Sequence, residues 1–123
     1  MDDKSKQEIE SAVSEVMAKF LKEEMGEQAK SIITQVKDDT IIVRFKEIAP
    51  PAERNLAKDQ EGMKLIKELK EKLIERVKQL LQEMIEKITK TEVIEIHSTF
   101  SVETGERIEI ITLGKNLEKL TEN

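Results

Sequence analysis

The sequence lacks several of the side chains on which protein chemistry most often depends. Its 123 residues include no cysteine, tryptophan or tyrosine, one histidine and three phenylalanines. The missing cysteines exclude disulfides, thiol nucleophiles and iron–sulfur clusters, and they fit a reducing compartment. One histidine cannot build a multi-histidine metal centre, and three phenylalanines offer few platforms for stacking nucleic-acid bases. We therefore expect no metal and no cofactor.

Long apolar runs and glycine-rich loops are also missing. No apolar stretch approaches the roughly 20 residues that a membrane span requires, and the N-terminus lacks the apolar region of a signal peptide. The four glycines are scattered, so the chain has neither a P-loop nor a dinucleotide-binding fingerprint. We expect a cytoplasmic protein that does not insert into a membrane but can dock on a membrane protein.

Charge is what the chain has in abundance. Charged residues make up 38% of the sequence, with 21 basic and 26 acidic side chains and a net charge of −5. The two signs are interleaved and form no dense basic stripe, so we expect no nucleic-acid partner. The many Lys and Glu residues suggest surface ion-pair networks of the kind found in thermostable proteins.

Hydrophobic periodicity predicts one α+β domain over residues 1–123, in the order helix, hairpin, long helix, hairpin. The helices are predicted over 7–25 and 60–88, and the strands over 31–37, 40–48, 92–100 and 107–113. Ser5 and Glu8 can form a capping box for the first helix, and Asp59 can cap the long one. We expect a mostly antiparallel four-stranded sheet packed on the helices. Residues 1–6 and 115–123 are expected to fray, although 116–120 can form a short helix.

The length and the apolar stripe of the long helix suggest contact with a second chain. Its predicted length of about 42 Å, at 1.5 Å per residue, is large for a domain whose radius of gyration is near 14 Å. Its apolar stripe also widens toward the C-terminal half, so that one sheet does not easily cover it. We therefore predict a homodimer, formed through this stripe or by pairing of edge strands. The predicted dimer surface consists of Ile74, Val77, Leu81, Met84 and Ile85.

The segment between the first hairpin and the long helix is the most individual part of the chain. Residues 49–57 read Ala-Pro-Pro-Ala-Glu-Arg-Asn-Leu-Ala, and a proline here suits the first turn of a short helix. One interpretation is a plain helix start, at which the prolines end the preceding strand. The other is a rigid surface for a partner, because proline lowers the entropy cost of docking. We call Pro51, Ala52, Glu53 and Arg54 the recognition corner.

Two acidic clusters and the histidine have simpler structural interpretations. His97 lies near Glu95, Glu103 and Glu106 in the sequence, and this set could hold a divalent metal. However, Glu95 and His97 share a strand face while the other two belong to a turn, so nothing fixes a third ligand. We interpret His97 as a structural histidine at the surface or half-buried. Asp38 and Asp39 could form a cation site, but we interpret them as a tight turn. Glu23, Glu24 and Glu27 could face a basic partner, but we interpret them as a solvated helix end.

The sequence offers little for catalysis. No spacing of serine, histidine and acid rises above chance. Glu53 and Arg54 could serve as an acid–base group and an anion clamp, but no nucleophile or activated base accompanies them. We therefore predict that the protein is not an enzyme.

Two stretches of the sequence resemble the MpsC family. The first is the run from 39 to 57, Asp-Thr-Ile-Ile-Val-Arg-Phe-Lys-Glu-Ile-Ala-Pro-Pro-Ala-Glu-Arg-Asn-Leu-Ala, followed by Glu61-Gly62 and a long charged helix. The second contains Val-Ile-Glu-Ile-His at 93–97, then Thr104-Gly105-Glu106 and the strand over 108–113. The family is named for a component of a sodium-translocating, membrane-potential-generating system of bacteria. The resemblance extends over nearly the whole chain.

The resemblance implies a role more than a mechanism. It suggests a non-enzymatic cytoplasmic accessory or interaction subunit, of a membrane-potential-generating or an ion- or bicarbonate-transport system, with a membrane protein as partner. Three turns depart from the family pattern, at 25–28, 89–90 and 98–101. The alternative function is a small-molecule-binding or regulatory domain, with a pocket between the long helix and the sheet near Arg54 and Arg44.

Overall fold

The computed structural model describes residues 5–121, and its elements follow the predicted order with small changes of boundary. The helices are α1 Lys6–Met25, α2 Pro51–Leu56, α3 Gln60–Thr89 and α4 Leu117–Leu120. The strands are β1 Ala29–Lys37, β2 Thr40–Glu47, β3 Val93–Phe100 and β4 Glu106–Leu113. The prediction of an α+β fold with two hairpins is confirmed.

The four strands form one sheet in the order β1-β2-β4-β3, with every neighbouring pair antiparallel. Each hairpin supplies one central strand and one edge strand, so β2 and β4 pair in the middle of the sheet. Buried residues alternate with more exposed ones along these two strands. Among the described residues, the helices therefore cover only one face of the sheet.

The predicted local signals act as expected. The Ser5 hydroxyl accepts a hydrogen bond from the Glu8 amide, and the Glu8 carboxylate accepts one from the Ser5 amide, which completes the capping box. Gly26 ends α1 in the left-handed region with φ 64°, a conformation that favours glycine. At the start of α3, Asp59 Oδ1 accepts a hydrogen bond from the Gly62 amide at 2.7 Å.

The five residues of the predicted dimer surface lie against the chain's own core. Ile74, Leu81 and Ile85 are buried, with exposed fractions of 8%, 0% and 0%, while Val77 and Met84 are half-buried and pack against the same core. The reason is that α1 contacts α3 in addition to the sheet. The expectation that these side chains need a second chain for burial is corrected, and the homodimer itself stays a prediction.

The C-terminal segment forms the short helix that the sequence allowed at 116–120. Instead of fraying, its described part forms α4, and Leu117 is 2% exposed. Glu118 accepts a hydrogen bond from the Asp38 amide at 2.9 Å and forms an ion pair with Lys6 at 2.8 Å. The remaining residues of the two predicted frayed ends, 1–4 and 122–123, lie outside the described residues.

Candidate functional site

The inward face of the sheet changes from apolar to ionic near one end. On β2, Glu47 continues the buried alternation of Phe45, and on β4, Arg107 and Glu109 precede Ile111 on the inward face. Glu47, Arg107 and Glu109 are 8%, 1% and 0% exposed. Because side chains of a strand alternate between the two faces, these charges project toward the helices instead of toward solvent.

The helices and their connections bring the matching charges. On α3, Lys70 lies four residues from both Ile66 and Ile74, and it is 2% exposed. Glu27 follows the left-handed turn that ends α1 and is 8% exposed, while Glu53 lies on α2 and is half-buried. We call these six residues the buried ionic cluster: Glu27, Glu47, Glu53, Lys70, Arg107 and Glu109.

Lys70 occupies the centre of this cluster. Its ammonium contacts the carboxylate of Glu27 and lies 3.1 Å from Glu47 Oε1 and 3.3 Å from Glu53 Oε1. The ring of Phe100 lies 5.5 Å from the nitrogen, within the range of a cation–π contact. One lysine on α3 thus holds together the end of α1, the end of β2, and α2.

Arg107 organises the other side of the cluster. Its Nε donates to Glu47 Oε2 at 2.7 Å, and its Nη1 donates to Ser98 Oγ at 2.9 Å. The Ser98 hydroxyl in turn donates to Glu109 Oε2 at 2.6 Å. The guanidinium carbon lies 5.1 Å from the Phe100 ring. The glutamates and the arginine therefore form a continuous network that joins β2, β3 and β4.

The cluster contains more acid than base, four carboxylates against two cations. Burial raises the pKa of Glu109 to about 7, although the Ser98 hydroxyl and the Arg107 charge oppose the shift. Burial also raises the pKa of Glu47, and burial together with the Glu47 charge raises that of Glu53. At neutral pH the Glu109 carboxyl is therefore protonated in about half of the molecules, which partly offsets the excess of negative charge in the cluster.

Lys70 is affected in the opposite direction. Burial, and then the charge of Arg107, lowers the pKa of Lys70 to about 8. The three carboxylates in contact with it favour its charged form. The ammonium is therefore protonated at neutral pH and can act as the counterion of Glu27 and Glu47.

Two clefts open on either side of α2 and share part of their lining. The larger, of about 590 Å³, reaches Lys70 and Glu27 and has Ile48 and Leu69 among its apolar walls. The smaller, of about 390 Å³, lies toward the β3–β4 turn, with Glu47 and Phe100 in its lining. Both clefts are also lined by Ala49, Glu53 and Arg54.

Glu53 and Arg54 of the recognition corner form the wall between these clefts. Pro51 begins α2, as predicted, and Pro51, Ala52 and Arg54 are exposed while Glu53 is half-buried. Arg54 Nη1 donates to the carbonyl of Ala49 at 2.5 Å. The corner is thus anchored by its own arginine on one side and by the Glu53–Lys70 ion pair on the other.

A glycine allows α3 to begin directly beside α2. A Cβ atom added to Gly62 would lie 1.7 Å from the carbonyl oxygen of Leu56. No side chain fits at that distance, so any other residue at this position must push the two helices apart. The position of the recognition corner relative to α3 therefore depends on this glycine.

Comparison with known proteins identifies the family. A family model described as "Na+-translocating membrane potential-generating system (MpsC)" matches residues 5–115. The chain belongs to the MpsC family. It is similar to YbcI of Bacillus subtilis (strain 168), an uncharacterized protein that is 37% identical over 116 residues, or 94% of each chain. No solved structure matches this chain.

Two properties of the described part of this MpsC chain bear on membranes and metals. None of the helices within residues 5–121 combines the length and apolar character needed to cross a bilayer. In the same part of the chain, no group of three or more acidic or histidine side chains is arranged to hold a metal ion. His97 lies on the uncovered side of the sheet, 69% exposed, with its Nε2 atom 2.7 Å from Glu95 Oε2.

The structure brings together only part of what the sequence singled out. Of the recognition corner, Glu53 joins the buried ionic cluster. Arg44, expected near a pocket with Arg54, is instead on the opposite face of the sheet and forms an ion pair with Glu106 at 3.3 Å. Glu27, interpreted as part of a solvated helix end, is buried and paired with Lys70.

Four members of the cluster were missed altogether: Glu47, Lys70, Arg107 and Glu109. A signal was present in the sequence, because each charge falls in phase with the apolar residues of its own element. Lys70 follows Ile66 and precedes Ile74 by one helical turn, and Arg107 and Glu109 precede Ile111 at steps of two. Charged residues in phase with a core stripe indicate buried ion pairing when both signs occur.

Proposed function

We propose that this MpsC chain is a non-enzymatic, cytoplasmic accessory subunit that binds a protein of a membrane ion-translocating system. Its binding surface is the recognition corner together with the larger cleft beside it. Family membership supports the kind of system. The observation that carries the choice of surface is the cleft of about 590 Å³, which combines exposed apolar walls with a rigid edge.

The apolar side chains around α2 support a docking role. Ile48 and Leu69, which both line the larger cleft, are each 50% exposed, although large aliphatic side chains are usually buried. Clustered exposed apolar residues are typical of interaction sites. Pro51 and the anchored Arg54 limit the freedom of the corner, so little conformational entropy is lost when a partner binds.

The charges at the rim favour a particular kind of partner segment. Lys22 and Arg54 line the larger cleft near its opening, and both are exposed. Lys70 and Glu27 lie in its buried part and are already paired with each other. We therefore propose a partner segment that inserts an apolar side chain between Ile48 and Leu69 and presents an acidic group to the rim.

The test is site-specific photo-crosslinking in the native host. A crosslinking residue at Ala52 is expected to capture an integral membrane protein of an ion-translocating system. Arg54→Glu should reduce that product at least tenfold, because it reverses the charge that faces the acidic group. Arg76→Glu, the same change at an exposed position of α3, is the matched control.

The outcomes of this test separate binding from folding. The thermal midpoint of each variant, measured by circular dichroism, shows whether Arg54→Glu still folds. The proposal fails if no membrane protein is captured, or if a folded Arg54→Glu variant gives as much product as Arg76→Glu. Leu69→Ser, which removes an apolar wall and leaves the charges in place, should also reduce the product.

A second function is favoured by the same cleft. Its volume falls in the range of small-molecule sites, and a paired buried lysine and glutamate could orient a polar ligand. We propose this small-molecule-binding or regulatory role as the alternative. Native mass spectrometry of the purified protein tests it, since a retained ligand adds its own mass to that of the chain. Leu69→Ser should reduce the fraction of the protein that carries this added mass.

We also propose that the chain works as a homodimer. Light scattering at two protein concentrations should give a mass near twice 14.2 kDa. A mass of one chain at both concentrations would contradict it.

A further inference from the structure

We infer that two copies of this chain pair through the uncovered face of the sheet, stacked about a two-fold axis that runs along the strands. This inference rests on the proposed homodimer and is independent of the proposed partner. We call the surface the open sheet face. It consists of the outward side chains of the four strands, Ile33, Gln35, Lys37, Thr40, Ile42, Arg44, Lys46, Glu95, His97, Thr99, Glu106, Ile108, Ile110 and Thr112.

The middle of the open sheet face is apolar. Ile42 and Ile110 pair directly on the two central strands, and Ile108 lies two residues along from Ile110. Ile110 remains 39% exposed and Ile33, on the edge strand beside them, 57% exposed. Adjacent exposed isoleucines on a sheet face, with no described element over them, are a surface that packing against a second sheet would bury.

The size of the face suits a dimer. Four strands at about 4.8 Å spacing and eight residues at about 3.3 Å give roughly 19 by 27 Å, or about 500 Å² of flat area. The pleat and the side chains increase the accessible area, which brings it close to the roughly 600 Å² per partner at which stable interfaces begin. A single peptide strand would leave most of this face uncovered.

The charges divide the face into two halves of opposite sign. The half made by β1 and β2 carries Lys37, Arg44 and Lys46, whereas the half made by β4 and β3 carries Glu95 and Glu106. Arg44 and Glu106 meet near the boundary, at 3.3 Å. A surface with one basic and one acidic half is complementary to itself when one copy is turned over.

The strand register determines which two-fold axis achieves this. Lys37 and Glu95 lie at opposite ends of one row across the sheet, and Lys46 pairs directly with Glu106 in another. A two-fold axis along the strands, between β2 and β4, places Lys37 of each copy over Glu95 of the other, and Lys46 over Glu106. An axis across the strands would place basic half over basic half. The acidic turn at 38–39 follows the last row of this pairing. Glu118 of α4 is the other acidic group near Lys37, whose charge helps to lower the Glu118 pKa.

Charge reversal tests this arrangement directly. The dimer dissociation constant is measured by sedimentation equilibrium for full-length chains. Lys37→Glu alone, or Glu95→Lys alone, creates two like-charge contacts per dimer and should raise that constant about tenfold. The double variant carrying both changes restores two opposite-charge contacts and should return to within about threefold of the original value.

Two further variants complete the test. Lys72→Glu makes the same change of net charge as Lys37→Glu, but at an exposed position of α3. It should leave the dissociation constant unchanged. Ile110→Lys places a charge at the apolar centre and should raise the constant more than either single reversal.

The outcomes distinguish this inference from the dimer proposal on which it rests. A chain that is monomeric at every concentration overturns both. Three results would overturn pairing through the open sheet face and leave the homodimer proposal in place. The dissociation constant would be unchanged by the variants on that face, would not be restored by the double reversal, or would be raised by Lys72→Glu.

Discussion

The layer between α3 and the sheet has two ends of opposite chemistry. At one end Leu81 and Ile85 pack in an apolar core with Ile111. At the other end the corresponding inward positions hold Lys70 and Arg107. The backbone geometry is the same at both ends, since the same helix crosses the same sheet. Burial in this fold is therefore decided by the phase of a residue along its element, and the polarity of the side chain decides only what it needs from its neighbours.

The two ends contribute to stability in different ways. An apolar side chain gains free energy by leaving water, whatever its exact partners are. A buried charge loses its hydration and recovers that loss only through complete pairing, so a buried ion pair often adds little net stability. The ionic end also lies beneath both clefts and the recognition corner. This placement fits a cluster that positions α2 more than one that stabilises the whole domain.

Removing the central cation is expected to have the largest effect. Lys70→Met leaves the buried carboxylates of Glu27 and Glu47 without their common counterion, which should cost about 4 kcal/mol of unfolding free energy at pH 7. Urea denaturation measures this loss. Lys72→Met, an exposed lysine on the same helix, should change stability by less than about 0.5 kcal/mol.

The pH dependence of that loss separates the two ends. At pH 5 the carboxylates left behind by Lys70→Met can take up protons, so the loss should be smaller than at pH 8. Equal losses at both pH values would show that Lys70 acts as packing and not as a counterion.

A matched truncation at the apolar end should cost slightly less. Leu81→Ala removes a side chain that is 0% exposed and should lower the unfolding free energy by about 3 kcal/mol. Unlike the effect of Lys70→Met, this loss should be the same at pH 5 and pH 8. Leu80→Ala, at a neighbouring position that is 39% exposed, is the control and should cost less than about 1 kcal/mol. If Leu80→Ala costs as much as Leu81→Ala, a second chain covers Leu80.

The smallest of these effects concerns the proton on Glu109. Its pKa is raised from 4.5 to about 7 in the folded state, so the folded chain holds a proton that the unfolded chain releases. Stability therefore falls as the pH rises between these values, by about 2 kcal/mol from pH 5 to pH 7.

A neutral substitution isolates this contribution. Glu109→Gln keeps the size of the side chain but cannot titrate, so its unfolding free energy should exceed the original by less than about 1 kcal/mol at pH 5 and by a growing amount as the pH rises to 7. Urea denaturation at several pH values measures the difference. Parallel pH curves for the two proteins would mean that Glu109 is ionised in the folded state throughout.

The candidate site shows where reasoning from sequence reached and where it stopped. Pro51 and Arg54 were identified because a proline pair between periodic segments is visible locally. Glu47 and Arg107 were missed because they are 60 residues apart in sequence. The sequence of either strand alone does not show that its charge has a partner on the other strand. A lysine at a core position such as Lys70 is visible as an exception to its apolar stripe, but its three partners come from β2, from α2 and from the connection after α1.

By itself, the sequence determined the order of the elements, their caps and turns, and the family. These features depend on contacts between residues close along the chain, such as Ser5 with Glu8 or Asp59 with Gly62, and periodicity or spacing reveals them. Only the tertiary structure decided that α1 would cover α3, that Glu27 would be buried, and that one face of the sheet would stay open. Those outcomes depend on how separately formed layers stack, because burial is a property of the assembled surfaces and not of any one segment.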